Sequence, residues 1–410
     1  MPVVETFQVE GHIVDSLILA KVLDLILESG ADYRLLDVDI GRTTTDSSRA
    51  VIEVTADDDD AITRLAEQLQ VHGANPTGAG DAVLQAADLD GVLPAGFHST
   101  TNLATEVSVD GHWVTVVNPE MDCGLAVEPT GGPDGGPLVR TVPMHKVRVG
   151  DLVVVGTQGV RVRAPERPRG MSTFEFMDSE VSSEKPKGLL VRQVADRIRA
   201  ARAAGSGVLA VCGPAVVHTG GAPQVARLVR GGWIQVLFAG NGFATHDIES
   251  NVMGTSLGIS VAEGAPTEGG HSNHLRVINE VRRHGSIAAA VADGFVTEGV
   301  MAECVRAGVP FVLGGSIRDD GPLPDTITDV VVAADRMREL TPGIGVALMV
   351  ATTLHAIATG NVLPASVETF CVDINQAVVT KLADRGSHQA HGIVTDAGLF
   401  LHLLADELDR

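Results

Sequence analysis

Beyond Leu189 the chain alternates short apolar runs with segments of helical period, and this alternation limits the fold more narrowly than any other feature. An apolar run without a polar face suits a strand covered on both sides. Strands separated by helices satisfy that need as a parallel sheet. The strand candidates are 208–212, 234–239, 311–313, 330–332 and 369–374; the helical windows include 191–204, 224–230, 275–283 and 345–358. With 44% hydrophobic residues and only 3% aromatic, the core is expected to consist of Val, Ala, Leu and Ile. The fold class expected is α/β.

In such sheets ligands gather at the carboxyl ends of the strands, where loops surround a crevice and helix N-termini present free N–H groups. The segments that fall there are GPAVVHTGG from Gly213, GNGFATHDIES from Gly240, GGSIRDDGPLPD from Gly314 and DIN from Asp373. Their glycines suit a pyrophosphate, which backbone amides can approach where no Cβ intervenes. The spacing GxGxxG is absent, however: Gly240 and Gly242 are followed by Thr245 where the third glycine would stand.

The N-terminal part reads differently. Phe7–Val9 is extended, Asp15 opens a helix through Leu27 that Gly30 stops, and 33–40 and 50–55 alternate as strands before a helix from Ala61. This order suits a small ferredoxin-like α+β module over residues 1–96. The acids Asp57–Asp60 match the positive end of that second helix, in preference to a metal cluster. Residues 97–170 form short strands, among them 113–117 and 151–155, separated by turns such as GGPDGG; 171–410 is the α/β domain, with 167–188 as the connection.

The net charge of −22 excludes a nucleic-acid backbone as the expected partner, since such binding rests on Lys and Arg. It favours a cationic small substrate, or serves only solubility. Cys123, Cys212, Cys304 and Cys371 have neither disulfide-framework nor zinc spacing, and no apolar run reaches the ~18 residues of a membrane span. Without a basic, then apolar leader at its start, the chain is read as a cytoplasmic protein with no membrane partner.

Several residues carry possible chemistry. His218, His246, His271 and His274 are candidate metal ligands or, as preferred here, polar packing groups with no metal bound. His246 or Asp247 would orient a ligand; Asp247 and Glu249 would alternatively cap a helix. NPEMDCGLAV from Asn118 places Glu120, Asp122 and Cys123 before a glycine and an apolar strand, where Cys123 is either a reactive thiol or a small buried hydrophobe. His145 and Lys146 offer a proton carrier and a cation, or simply form an exposed turn.

Together with FEFMDSEVSSEKP from Phe174, GNGFATHDIESNVMGTSLG from Gly240, GGHSNHL from Gly269 and VVTKLADRGSHQAHGIVTD from Val378, these loops resemble the archaeal-type ornithine cyclodeaminases, the LOR/SDH conserved-region family that also forms the C-terminal part of cyanobacterial arginine-degrading enzymes. The resemblance spans nearly the whole chain. It implies a parallel-sheet NAD-binding domain similar to deoxyhypusine synthase, which lacks the usual glycine fingerprint, preceded by a small module and a β-rich substrate-side segment. The cofactor residues it implies are His218, Thr219, Gly220, Asn241, Gly242, Phe243, Thr255, Ser256, Asp293, Gly294, Gly315, Ser316 and Ile317.

The implied reaction is redox-neutral overall. Hydride passes from the ornithine α-carbon to NAD, the side-chain amine attacks the resulting imine, ammonia leaves, and hydride returns to give proline. Such a site needs a group for the substrate carboxylate, an acid for the distal ammonium and a proton carrier. The expected assignments are Lys146 or Arg318, then Glu120, Asp122 or Asp320, then Cys123 or His145. The paired acids Asp319 and Asp320 are alternatively turn caps before Gly321-Pro322, Asp319 above all. An enzyme acting on another diamino acid, as cyclase or dehydrogenase, is the first rival reading, and an amino-acid sensor without turnover the second. The partners expected are a small amino acid and further copies of the chain in a homo-oligomer.

Overall fold

The computed structural model describes residues 2–14, 17–42, 46–78, 80–163, 187–256, 259–260, 272–378 and 390–410. Asp15, His271, nearly all of 167–188 and the stretch 379–389 lie outside them. Two compact units divide the chain: Met1–Glu175 with Asn361–Ser366, and Phe176–Gly360 with Val367–Arg410.

The first unit opens with β1 (Val3–Gly11), α1 (Ile18–Glu28), β2 (Asp32–Asp39), β3 (Ser48–Ala56), α2 (Asp59–Gln70) and β4 (Asn75–Pro76). The strands form an antiparallel sheet in the order β2-β3-β1-β4, the ferredoxin-like arrangement. Strict alternation along β3 sends Ala50, Ile52 and Val54 beneath the helices with Phe7 and Val9. Gly30, at φ 82, provides the left-handed turn that ends α1. Asp58 accepts from the Ala61 amide at 2.8 Å and begins α2, with Asp59 and Asp60 in its first turn.

Two smaller antiparallel sheets follow. One contains β5 (Val83–Ala86), β10 (Leu152–Val155), β8 (Gly124–Glu128) and β9 (Leu138–Val142); the other contains β11 (Val160–Val162), β6 (Thr105–Val109) and β7 (His112–Thr115). Their inner faces share a core of Val107, Leu125, Val127, Val139 and Val154.

The second unit is the α/β domain, entered through α3 (Lys187–Ala203). Its seven parallel strands are β12 (Gly207–Cys212), β13 (Val236–Gly240), β16 (Phe311–Gly314), β17 (Thr326–Ile327), β18 (Ile344–Val350), β19 (Glu368–Asp373) and β20 (Ala390–Val394). The two-residue strands β14 (Thr255–Ser256) and β15 (Ile259–Ser260) pair apart. The sheet order is β17-β16-β13-β12-β18-β19-β20. Leaving aside the extra edge strand β17, the order in chain sequence is 3-2-1-4-5-6, the doubly wound dinucleotide-binding topology. Helices α4 (Ala215–His218), α5 (Ala222–Arg230), α6 (Asn241–Met253), α7 (Asn273–His284), α8 (Ile287–Ala292), α9 (Val300–Ala307), α10 (Val330–Leu340), α11 (Leu354–Val362) and α12 (Ala397–Leu408) connect and cover the strands. The core is aliphatic, with Phe238, Phe243 and Phe400 among its few aromatic members.

Two sequence expectations are corrected. Residues 330–332 are the first turn of α10 and not a strand, because Asp329 accepts from the amides of Val331 and Val332 at 2.9 and 3.3 Å. That cap outweighs the strand preference of three valines whose side chains are exposed. The window 345–358 is not one helix. Its first part is the buried strand β18, wedged between β12 and β19, and α11 starts only at Leu354. Ala347, Leu348 and Met349, which have no branch at Cβ, imitate helix; burial on both faces makes them strand.

Candidate active site

The strand order reverses between β12 and β18, so the crevice of the second unit opens where these strands end. At Gly213, directly after β12, an added Cβ would fall on the Ala351 carbonyl; the Gly213 amide also donates to Val350 O at 3.0 Å. Ala351 itself sits at φ 51, a strained conformation for a residue with a side chain. The two backbones thus meet at the crevice with no space for a side chain at Gly213.

Gly240 ends β13, and α6 begins on the next residue, so GNGFATHDIES is a helix start and not a long loop. The buried Asn241 accepts through its carboxamide oxygen from the Leu323 amide at 2.9 Å and the Thr326 hydroxyl at 3.0 Å, holding the loop that follows β16. In that loop Ser316 N donates to Asp319 Oδ2 at 2.7 Å and Arg318 N to Ser316 Oγ at 3.2 Å; Asp319 is the turn cap. The tightness of this turn leaves the Ile317 side chain fully exposed. Gly315 N bonds to Ile327 O at 2.9 Å.

Beside this edge lies a polar network. His218 Nδ1 and Ser256 Oγ are 2.7 Å apart, and the His218 and His246 rings are 5.0 Å apart. His246 Nδ1 lies 3.0 Å from Glu249 Oε2, Thr255 donates to Glu249 Oε1 at 2.8 Å, and Asn273 donates to Thr255 at 2.9 Å. Helical spacing brings His246 and Glu249 to one face of α6, and β14 supplies Thr255 and Ser256. Burial, then the neighbouring His246, lower the His218 pKa despite Glu249, so its imidazole is neutral at pH 7.

Asp247, one residue on, faces the core. It accepts from the Val300 and Met301 amides at 3.0 and 2.9 Å and so caps α9. Gly299, at φ 104, brings that helix so close that a Cβ would meet the Asp247 carboxylate at 2.7 Å. Burial raises the Asp247 pKa to about 6, against the pull of the two amides. Burial, and then Asp247, also push the Cys212 thiol up to about 12, which removes it as a nucleophile at neutral pH.

His355 escaped the sequence reading because its window was taken as one helix. Its ring covers Gly240 and Gly314: Cβ atoms added there would lie 3.0 and 3.3 Å from Cε1 and Nε2. Burial lowers its pKa, against the charge of Asp319. The partnership of His218 with Ser256, and of Thr255 with Glu249, was equally unreadable, since tertiary contact alone creates it.

The other named residues are distributed as follows. Thr219 ends α4 and bonds back to Ala215 O; Gly220 follows at φ 75. Gly242 is in the first turn of α6, while the Phe243 side chain is wholly in the core. Asp293 and Gly294 form the C-terminal turn of α8, with Asp293 Oδ2 2.7 Å from His284 Nδ1. Asp320 Oδ2 is 3.3 Å from His274 Nε2. Among the described residues no cluster of three or more His, Cys, Asp or Glu could hold a metal ion.

Glu120, Asp122, Cys123, His145 and Lys146 belong to the first unit. Their loop is built around Thr100, whose hydroxyl donates to Glu120 O at 2.6 Å and accepts from Cys123 N at 3.0 Å. Asn118 and Asp122 adopt φ 46 and 61, and Asn361 Nδ2 donates to Asp122 Oδ2 at 3.3 Å. Glu120 and Cys123 are buried, with Cys123 Sγ 3.6 Å from Met121 O, and Asp122 is exposed. His145 and Lys146 are exposed on a 3-10 turn.

The second unit is therefore a doubly wound α/β domain with a glycine-lined crevice of the dinucleotide-binding class. The chain belongs to the ArgZ-like family: its residues 192–404 match the model for the C-terminal Rossmann-fold region of ArgZ-like arginine dihydrolases, 104–191 the first region of that C-terminal part, and 4–103 the LOR/SDH bifunctional enzyme conserved region. It is 49% identical over 409 residues to the ornithine cyclodeaminase of Methanocaldococcus jannaschii, covering 98% of this chain and 96% of that one. The bifunctional arginine dihydrolase/ornithine cyclodeaminase AgrE of Nostoc is 43% identical, and the match covers 98% of this chain but 58% of AgrE. The crystal structure of apo ArgZ, an arginine dihydrolase of cyanobacteria, is 38% identical over all of this chain and 58% of its own, with a TM-score of 0.85. A ternary complex of AgrE with ornithine and NAD+ is 41% identical with the same coverage and a TM-score of 0.54. No described helix is long and apolar enough to cross a membrane.

Proposed function

We propose that this chain is an NAD-dependent ornithine cyclodeaminase, an ammonia-lyase that converts L-ornithine to L-proline and ammonia. The observation that carries this reading is the strand-order reversal of a 3-2-1-4-5-6 sheet, with glycine-rich strand ends beside it, in a chain similar over almost its full length to ornithine cyclodeaminases. Two features of the crevice suit NAD: the thirteen-residue α6 starts directly on a strand end and presents free amides, and Ile317 offers an apolar surface. His218, Thr219, Gly220, Asn241, Gly242, Thr255, Ser256, Gly315, Ser316 and Ile317 would line or support it. For Phe243 only the backbone is available.

NAD supplies a reversible hydride acceptor for the substrate α-carbon and is not consumed. The remaining tasks fall to side chains. Lys146 or Arg318 holds the substrate carboxylate, Asp122, Glu120 or Asp320 the distal ammonium, and Cys123 or His145 moves the proton released when the free amine closes the ring. Asp122 and His145 are exposed, whereas Glu120 and Cys123 are enclosed by their own loop. In this reading 1–96 is a small accessory module, 97–170 the substrate side and 171–410 the cofactor domain.

The test is to incubate purified protein with L-ornithine, with and without added NAD, and follow proline, ammonia and NADH together. Proline and ammonia should rise equally with no net NADH. NADH accumulating with product would instead make it a dehydrogenase, and NAD binding without turnover on any diamino acid would leave a sensor.

A further inference from the structure

The N-terminal sheet has two unequal edges. At one, β4 pairs over only two residues and ends in Pro76, which has no N–H to offer a further strand. At the other lies β2, eight residues long, paired with β3 on one side and last in the sheet order on the other. No residue of β2 is fully buried, and its apolar side chains are left in solvent: Leu35 is 42% exposed, Leu36 47%, Val38 40% and the adjoining Ile40 53%. Four charged residues and a bulge restrict which strand can join this edge, but its eight residues and exposed apolar side chains leave it a template for a strand of matching pattern.

The sequence of β2 says which strand. A bulge between Leu35 and Asp37 shifts the pleat, and the pairing with β3 then divides the side chains. Tyr33, Leu35 and Val38 lie opposite Val54, Ile52 and Ala50, on the face that packs beneath the helices; Arg34 and Asp39 lie opposite Glu53 and Arg49, on the open face. About a two-fold axis between Leu36 and Asp37, an antiparallel second β2 sets Arg34 against Asp39 twice on the open face. On the other face it sets Leu35 against Val38 and Tyr33 against Ile40, each twice. Each of these pairs keeps to one face, and each charged side chain in them meets one of opposite sign, as a self-complementary two-fold interface requires; at the axis the bulge residue Leu36 stands against Asp37. We infer that β2 is a dimerisation strand that joins the ferredoxin-like sheets of two copies of this chain into one continuous eight-stranded sheet.

The prediction is tested on the full-length protein by sedimentation and by cross-linking. Val38→Lys places an ammonium between the two strands and should halve the mass of the native assembly while the circular dichroism is retained. An assembly unchanged by Val38→Lys, or a monomeric wild type, overturns the proposal. A register-specific readout does not depend on that variant folding. Mixed Arg34→Cys and Asp39→Cys proteins should form a disulfide-linked dimer under mild oxidation. Neither should do so alone, since like positions would stand roughly five residues apart at about 3.4 Å each. Cross-linking of either variant with itself, or none in the mixture, refutes the pairing.

Discussion

The carboxyl group of Asp247 is enclosed by protein, where ionisation is costly, and its two amide hydrogen bonds only partly offset that cost. Its pKa of about 6 lies above the ordinary 3.8, so the folded state prefers the protonated form. The sign follows: its contribution to stability is full below pH 4 and is lost as the pH rises through 6, a change on the order of 3 kcal/mol at most. Asp247→Asn should flatten this part of the profile, and the melting temperature of variant and wild type between pH 4 and 7 measures it. Cys123 belongs to the same scale. Its thiol is buried against Met121 O, and its loop is held through the backbone by Thr100. Cys123→Ala should lower turnover while NAD affinity, read by cofactor fluorescence, stays unchanged; full turnover would remove the thiol from the mechanism.

Among the elements, the junction of β12 with β18 is the tightest point near the crevice. Gly213→Ala would force its methyl group into the Ala351 carbonyl, and two strand ends would have to move apart. Overpacking of this kind costs about 1–3 kcal/mol, and the displaced edge should bind NAD at least tenfold more weakly; denaturant unfolding and cofactor titration test both. The elements also show what a periodicity reading resolves. β3 and α2 were legible because one face alone is buried and Asp58 marks the helix start. β18 was not, because burial on both faces erases any period; α10 was misread because its cap, Asp329, precedes a run of valines.

At the scale of the whole molecule, the chain contributes Asn361–Ser366 to the first unit long after leaving it. Asn102, wholly buried, donates to Leu363 O at 3.2 Å, the Asn102 carbonyl accepts from Ala365 N at 2.8 Å, and Met121 N donates to Asn361 O at 2.9 Å. The loop that carries Glu120, Asp122 and Cys123 therefore depends on residues more than two hundred positions away. Asn102→Ala should cost about 1–3 kcal/mol in denaturant unfolding and speed hydrogen exchange at Met121.

The sequence by itself determined the α/β class, the ferredoxin-like order of the N-terminal module and the glycine-rich segments of the crevice. These depend on local periodicity, caps and turn residues, which neighbours in the chain decide. Only the tertiary structure decided that Asp247 caps a helix fifty residues later, that His218 meets Ser256, and that His355 covers two glycines. Each of those depends on which strand lies beside which, and a parallel sheet fixes this through burial and crossover connections that leave no periodic trace in the chain.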